Sequence, residues 1–139
     1  MIAPGEPDPS RQRERPLILI VEDQSELRRL YAEQLTISGF DVIEAANGAE
    51  AVRWTSAHLP DVVLMDLSLP VLDGWEATRR LKGDGRTSHI PVVALTAHDG
   101  AGDLDQAMKA GCDWFVPKPC PPDSLIAEVR RVLAGQPLD

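Results

Sequence analysis

Five side chains in this sequence make chemical sense only if they meet. Glu22 and Asp23 stand directly after the apolar run Leu17–Val21, and Asp66 directly after Asp61–Met65. Thr96 follows Val92–Leu95, and Lys118 comes just past Trp114–Val116. Singly, each has an ordinary explanation: an acid after a strand commonly caps the next helix, a threonine serves as a turn hydroxyl, and a lone lysine is solvated. Together they are complementary. Carboxylates gathered on one rim of a partly dry cleft repel one another and call for a cation. All-oxygen ligands with positions left to water suit Mg²⁺. With that charge neutralised, a phosphodonor can approach Asp66, Lys118 can pair with one phosphoryl oxygen, and Thr96 can hydrogen-bond another. This is phosphoryl transfer by positioning and charge stabilisation, with a carboxylate as nucleophile.

The elements that must position these groups are legible as an alternation. Short apolar runs at Leu17–Val21, Asp41–Ala45, Asp61–Met65, Val92–Leu95 and Trp114–Val116 are separated by segments of helical spacing. The first segment places Leu27, Leu30, Tyr31 and Leu35 on one face and stops at Gly39. The second opens with Asn47 and Glu50, the third with Asp73 and Glu76, both in the form of a capping box. A fourth carries Leu104, Ala107 and Met108 and ends at Gly111. A fifth starts near Asp123–Ser124 and repeats at Leu125, Val129, Val132 and Leu133.

Five strands alternating with five helices predict parallel βα units. Runs such as VVLM and VVAL are apolar on successive residues, as strands covered on both faces should be. Pro117, which lacks an N–H, belongs on an edge strand. The expected fold is an open, doubly wound α/β structure with a five-stranded parallel sheet. Ligands bind such sheets beyond the carboxyl ends of the strands, which is where the five residues collect. Residues 1–15, rich in proline and charge, read as a disordered tail; 16–135 form the domain and 136–139 a short tail.

Composition narrows the function classes. The net charge of −8 offers no basic face, so nucleic acid is not an expected partner. Cys112 and Cys120 form neither a disulfide framework nor a CxxC metal site, in keeping with a reducing cytoplasm. The apolar runs are far short of a membrane span, and no signal-peptide core stands at the N-terminus. A soluble, cytoplasmic protein is expected.

The segments LILIVEDQ, DVVLMDLSLPVLDGWE, VVALTA and AGCDWFVPKP, in that order, resemble the receiver domain of two-component response regulators. The separations from 23 to 66, 66 to 96 and 96 to 118 are close to those usual in that family, and the likeness runs from Pro16 to about Leu133. The resemblance implies a (βα)₅ flavodoxin-like fold with strand order 2-1-3-4-5. It implies Asp66 as phosphoacceptor, Asp23 as a direct Mg²⁺ ligand, Glu22 acting through water, and Ser68 acting through its backbone carbonyl. Thr96 becomes the hydroxyl that moves toward the phosphoryl group, Phe115 the aromatic that turns inward behind it, and Lys118–Pro119 a cis peptide bond. Three positions stand out. Glu22 replaces an aspartate, Cys120 takes a place where a large apolar residue is common, and His98 lies two residues past Thr96, where a histidine could influence dephosphorylation or simply be solvated.

Other classes fit less well. A phosphohydrolase that forms an aspartyl phosphate would want an acid at position 68, where Ser68 stands. A flavin or nucleotide module would want a glycine- or hydroxyl-rich loop after the first strand, where EDQSE stands. The alternative carried forward is a docking module with a receiver fold that works without phosphorylation. Otherwise the protein is no enzyme beyond catalysing its own phosphorylation and dephosphorylation. Its expected partners are a sensor histidine kinase or histidine phosphotransfer protein and a downstream protein target, with neither nucleic acid nor membrane and with the oligomeric state left open. Only AGQPLD follows Leu133, so output by protein contact or as a phosphorelay intermediate is expected. Trp114, beside Phe115, is expected to be partly exposed on the partner surface.

Overall fold

The computed structural model describes residues 14–67, 74–96 and 108–135. Among them lie five strands: β1 (Leu17–Val21), β2 (Asp41–Ala45), β3 (Val62–Asp66), β4 (Val92–Thr96) and β5 (Trp114–Pro117). All pair in parallel, in the order β2-β1-β3-β4-β5. The described helices are α1 (Ser25–Ile37), α2 (Gly48–His58), α3 (Gly74–Gly83) and α4 (Pro122–Leu133). Residues 108–110 are also helical. The rest of the expected fourth helix, with Leu104 and Ala107, and the Asp73 cap lie outside the described residues.

Alternation along the strands divides the core. Ile18, Ile20, Val62, Leu64, Val93 and Leu95 face one side, where Tyr31, Ala32 and Leu35 of α1 meet Leu125, Ile126 and Val129 of α4. Leu19, Val21, Val63, Met65, Val92 and Ala94 face the other, against Ala51 of α2 and Ala77 and Leu81 of α3. A strand covered on both faces has no polar face to offer, hence the unbroken apolar runs. The two edge strands, β2 and β5, are only partly buried.

The strand boundaries shift where pairing decides them. Asp66 lies beside Leu95 and Thr96 beside Pro117 in the ladder, so both residues end strands rather than follow them. Asp61 falls outside β3; its carboxylate accepts from Leu17 N at 2.7 Å instead. In α1 the buried stripe runs through Tyr31, Ala32 and Leu35, with Leu27 at its margin, and Leu30 falls on the shoulder at 42% exposure rather than inside. Gly39 ends α1 as expected, with φ of 106°. At α2, Asn47 Oδ1 accepts from Glu50 N at 2.9 Å, while Glu50 Oε1 reaches Ala46 N at 2.7 Å, one residue short of a reciprocal box. Helix α4 opens at Pro122, earlier than Asp123–Ser124, because proline suits the first helical position. Arg15 is tied to the body of the domain: it donates to Thr36 O and Phe40 O, both at 2.9 Å, and to Asp41 Oδ1 at 3.0 Å.

Trp114 is not on the surface. It is 6% exposed and packs in the α1–α4 side of the core. Its Nε1 donates to Glu128 Oε2 at 2.6 Å, and the Arg131 guanidinium lies 5.6 Å from its ring centroid. Partnered by a carboxylate of α4, the indole N–H can be buried without penalty, and the ring closes the edge of the sheet.

Candidate functional site

The order β2-β1-β3 places a switch point between β1 and β3: the chain leaves β1 to build one side of the sheet and returns to build the other. Glu22 continues directly from β1, anchored by Glu22 N to Ala45 O at 3.0 Å. Asp66 ends β3 next door. One oxygen from each of Glu22, Asp23 and Asp66 lies within 4.8 Å of the other two. Glu22 and Asp66 are buried, and Asp23 is exposed at the mouth.

Lys118 reaches this cluster from the far side of β4. Its Nζ stands 3.0 Å from Glu22 Oε1 and 3.2 Å from Asp66 Oδ2. The residue follows β5 through Lys118 N donating to Thr96 O at 2.7 Å, and the peptide bond to Pro119 is cis. Burial alone would lower the Lys118 pKa, but the Glu22 and Asp66 carboxylates outweigh it, and the ammonium holds its proton more tightly than a free lysine. Asp23 is raised, first by partial desolvation and then by the hydrogen bond and negative charge of Glu22. Among the described residues, three carboxylates thus face one ammonium. This all-oxygen, net-negative set fits a hard divalent cation such as Mg²⁺.

Thr96 is 7% exposed at the end of β4, one position past the residue paired with Asp66. Phe115 pairs with Ala94 and packs, half-buried, on the α2–α3 side of the sheet, opposite Trp114. Cys120 is buried in the α1–α4 core. Ser68 and His98 lie outside the described residues.

Two contributors were missed by reading strand ends alone. A Cβ at Gly74 would overlap the Asp66 carbonyl oxygen and stand 2.7 Å from Leu67 Cα, so only glycine lets α3 start this close to Asp66. The second is Arg28, whose NH1 donates to Glu22 O at 2.7 Å and whose Nε donates to Glu44 Oε1 at 3.1 Å, fastening the acid pair to α1 and β2. Gly74 was visible within DGWE but carried no chemistry of its own. Arg28 resembled any solvated cation of a helix.

The structure is thus a three-layer α/β module with an acid cluster and a lysine at its switch point. The family model of the response regulator receiver domain matches residues 18–130, and the chain belongs to that family. It is 35% identical over 116 residues to the polar-differentiation response regulator DivK of Brucella anthropi, covering 84% of this chain and 94% of DivK. It is 41% identical over 120 residues to the response regulator Rre1 of Synechocystis, covering 86% of this chain but about half, 52%, of Rre1. Among solved structures it resembles the receiver domain of sensor histidine kinase PA1611 from Pseudomonas aeruginosa, which has a magnesium ion coordinated in its active-site cleft. That match has a TM-score of 0.76 and 34% identity, over 87% of this chain and 96% of the other. No helix among the described residues is long and apolar enough to cross a membrane.

Proposed function

We propose that this receiver accepts a phosphoryl group on Asp66 from the phosphohistidine of a sensor kinase or phosphotransfer protein, in a Mg²⁺-dependent reaction, and signals by protein contact or passes the group on as a relay intermediate. The observation that carries this reading is the convergence of Glu22, Asp23 and Lys118 on one buried carboxylate at the switch point of a receiver fold. An Asp66 oxygen forms the new P–O bond as the donor's P–N bond breaks, and the electron pair stays on the imidazole nitrogen. Lys118, already beside Asp66 Oδ2, is placed to pair with a phosphoryl oxygen as charge shifts onto it. The Thr96 hydroxyl is assigned to a second phosphoryl oxygen, with Phe115 following it inward.

Mg²⁺, when bound, supplies charge neutralisation between the carboxylates and the incoming phosphoryl oxygens. Asp23, at the mouth, is assigned to ligate it directly, together with Asp66. Both Glu22 oxygens already accept hydrogen bonds, from Lys118 Nζ and from Gln24 N at 3.2 Å, which favours its action through water. The Ser68 carbonyl is assigned on the family resemblance alone.

The test is labelling by acetyl phosphate with Mg²⁺, read by intact mass. One phosphoryl group should appear on the wild type and none on Asp66→Asn. Undiminished labelling of Asp66→Asn overturns the acceptor; no labelling of the wild type by this donor or by a phosphohistidine protein leaves the phosphorylation-independent docking module.

A further inference from the structure

Tyr31 is 2% exposed in the middle of α1, and its hydroxyl donates to the backbone oxygen of Cys120 at 2.8 Å. Cys120 belongs to the turn that begins with Lys118, so this bond links α1 to the segment that aims the lysine. The turn is short of ways to be held. Residues 117, 119, 121 and 122 are all proline, so between 117 and 122 only Lys118 and Cys120 have a backbone N–H. The Lys118 N–H is spent on Thr96 O, which fixes the start of the turn to the sheet. Beyond it the turn can be tethered mainly through its carbonyls, and the Tyr31 hydroxyl takes the one at Cys120 from inside the core.

Side-chain packing points the same way. Cys120 stands where receivers commonly carry a large apolar residue, and the Tyr31 ring packs with it in the α1–α4 core. A leucine or phenylalanine at 31 could fill that volume, but only tyrosine also donates to the turn. One helical turn earlier on α1, Arg28 holds Glu22 O. The same helix thus grips both arms of the site, the acid pair through Arg28 and the lysine turn through Tyr31.

We propose that Tyr31 is a positioning residue for Lys118: its hydroxyl holds the 118–121 turn so that the ammonium stays in reach of Glu22 and Asp66. The inference rests on the reading of Asp66 as phosphoacceptor for its kinetic consequence, but not for its structural one. Tyr31→Phe removes one hydroxyl and keeps the ring. It should stay folded by circular dichroism and accept phosphate from acetyl phosphate about fivefold more slowly, the scale of one hydrogen bond. In a Lys118→Ala background the same change should have no further effect, because nothing is left to aim. In metal-free protein without any donor, the Lys118 ¹³Cε resonance should move in Tyr31→Phe. Equal slowing in both backgrounds, a wild-type rate for Tyr31→Phe, or an unmoved Lys118 resonance overturns the proposal. Should the wild type take no phosphate, the functional reading fails, and the resonance alone still decides the role of Tyr31.

Discussion

At the level of single residues, the two members of the acid pair differ in burial. Glu22 is fully buried and bonded to Lys118, whereas Asp23 sits exposed with a raised pKa. An acid with a raised folded-state pKa holds its proton more tightly folded than unfolded, so stability falls as pH rises through the window between the two values. Without metal, Asp23→Asn should therefore stabilise the protein at neutral pH, by less than about 1 kcal/mol given its exposure, and the gain should vanish as the pH drops below the normal carboxylate range. Thermal melts from pH 3 to 8 check this; an unchanged or lower melting temperature at pH 7 contradicts it. With metal the order reverses. Asp23→Asn should weaken Mg²⁺ binding far more than Glu22→Gln does, and equal losses in a titration would exchange the two roles. The sequence placed the acids and the lysine on one rim, yet it paired Lys118 with the phosphoryl group only. That the lysine rests between Glu22 and Asp66 depends on a distance between strand ends that no spacing encodes.

For the elements, the decisive contact is where α3 begins against β3. Gly74→Ala forces a methyl into the Asp66 carbonyl and Leu67 backbone, and neither can yield without moving Asp66. It should cost roughly 2 kcal/mol or more in urea unfolding, in the range of core overpacking, and slow Asp66 labelling as well. Gly83, at the other end of the same helix, has open space where its Cβ would be, so Gly83→Ala should be neutral or stabilising by up to about 1 kcal/mol. A Gly74→Ala variant as stable as Gly83→Ala would show that the close approach to Asp66 does not constrain position 74. Strand positions were legible because buried parallel strands leave a run of apolar residues. Helix ends were legible only where a local cap sets them, as at Asn47 and Gly39. The last helix starts at Pro122, one position before Asp123, because proline is favoured in a helix's first turn.

Considered whole, the molecule uses its last strand and last helix as one packed unit. Trp114, Glu128 and Arg131 close the β5 edge onto α4. Trp114→Ala should therefore cost about 3–5 kcal/mol in unfolding free energy, the scale of truncating a large core aromatic. Trp114→Phe, which keeps most of the volume but leaves Glu128 without the indole N–H, should cost less. Chemical denaturation ranks the two; a Trp114→Ala variant as stable as the wild type, with partner binding lost, would return the tryptophan to the surface role its position in the sequence suggested. An indole next to a charged residue on an edge strand looks exposed until α4 is known to lie over it.

The sequence by itself determined the strands, their parallel direction through the alternation with helices, and the set of residues at their ends, because each of these is written in local spacing and in the carboxyl-edge rule for α/β sheets. Tertiary structure alone decided which of those groups touch. Glu22 meets Lys118 across 96 positions and Tyr31 meets Cys120 across 89, and such contacts depend on how the helices seat against the sheet. Burial follows the same division. The period of a strand tells which residues share a face, but only the helix that covers the face tells whether a residue such as Trp114 is inside.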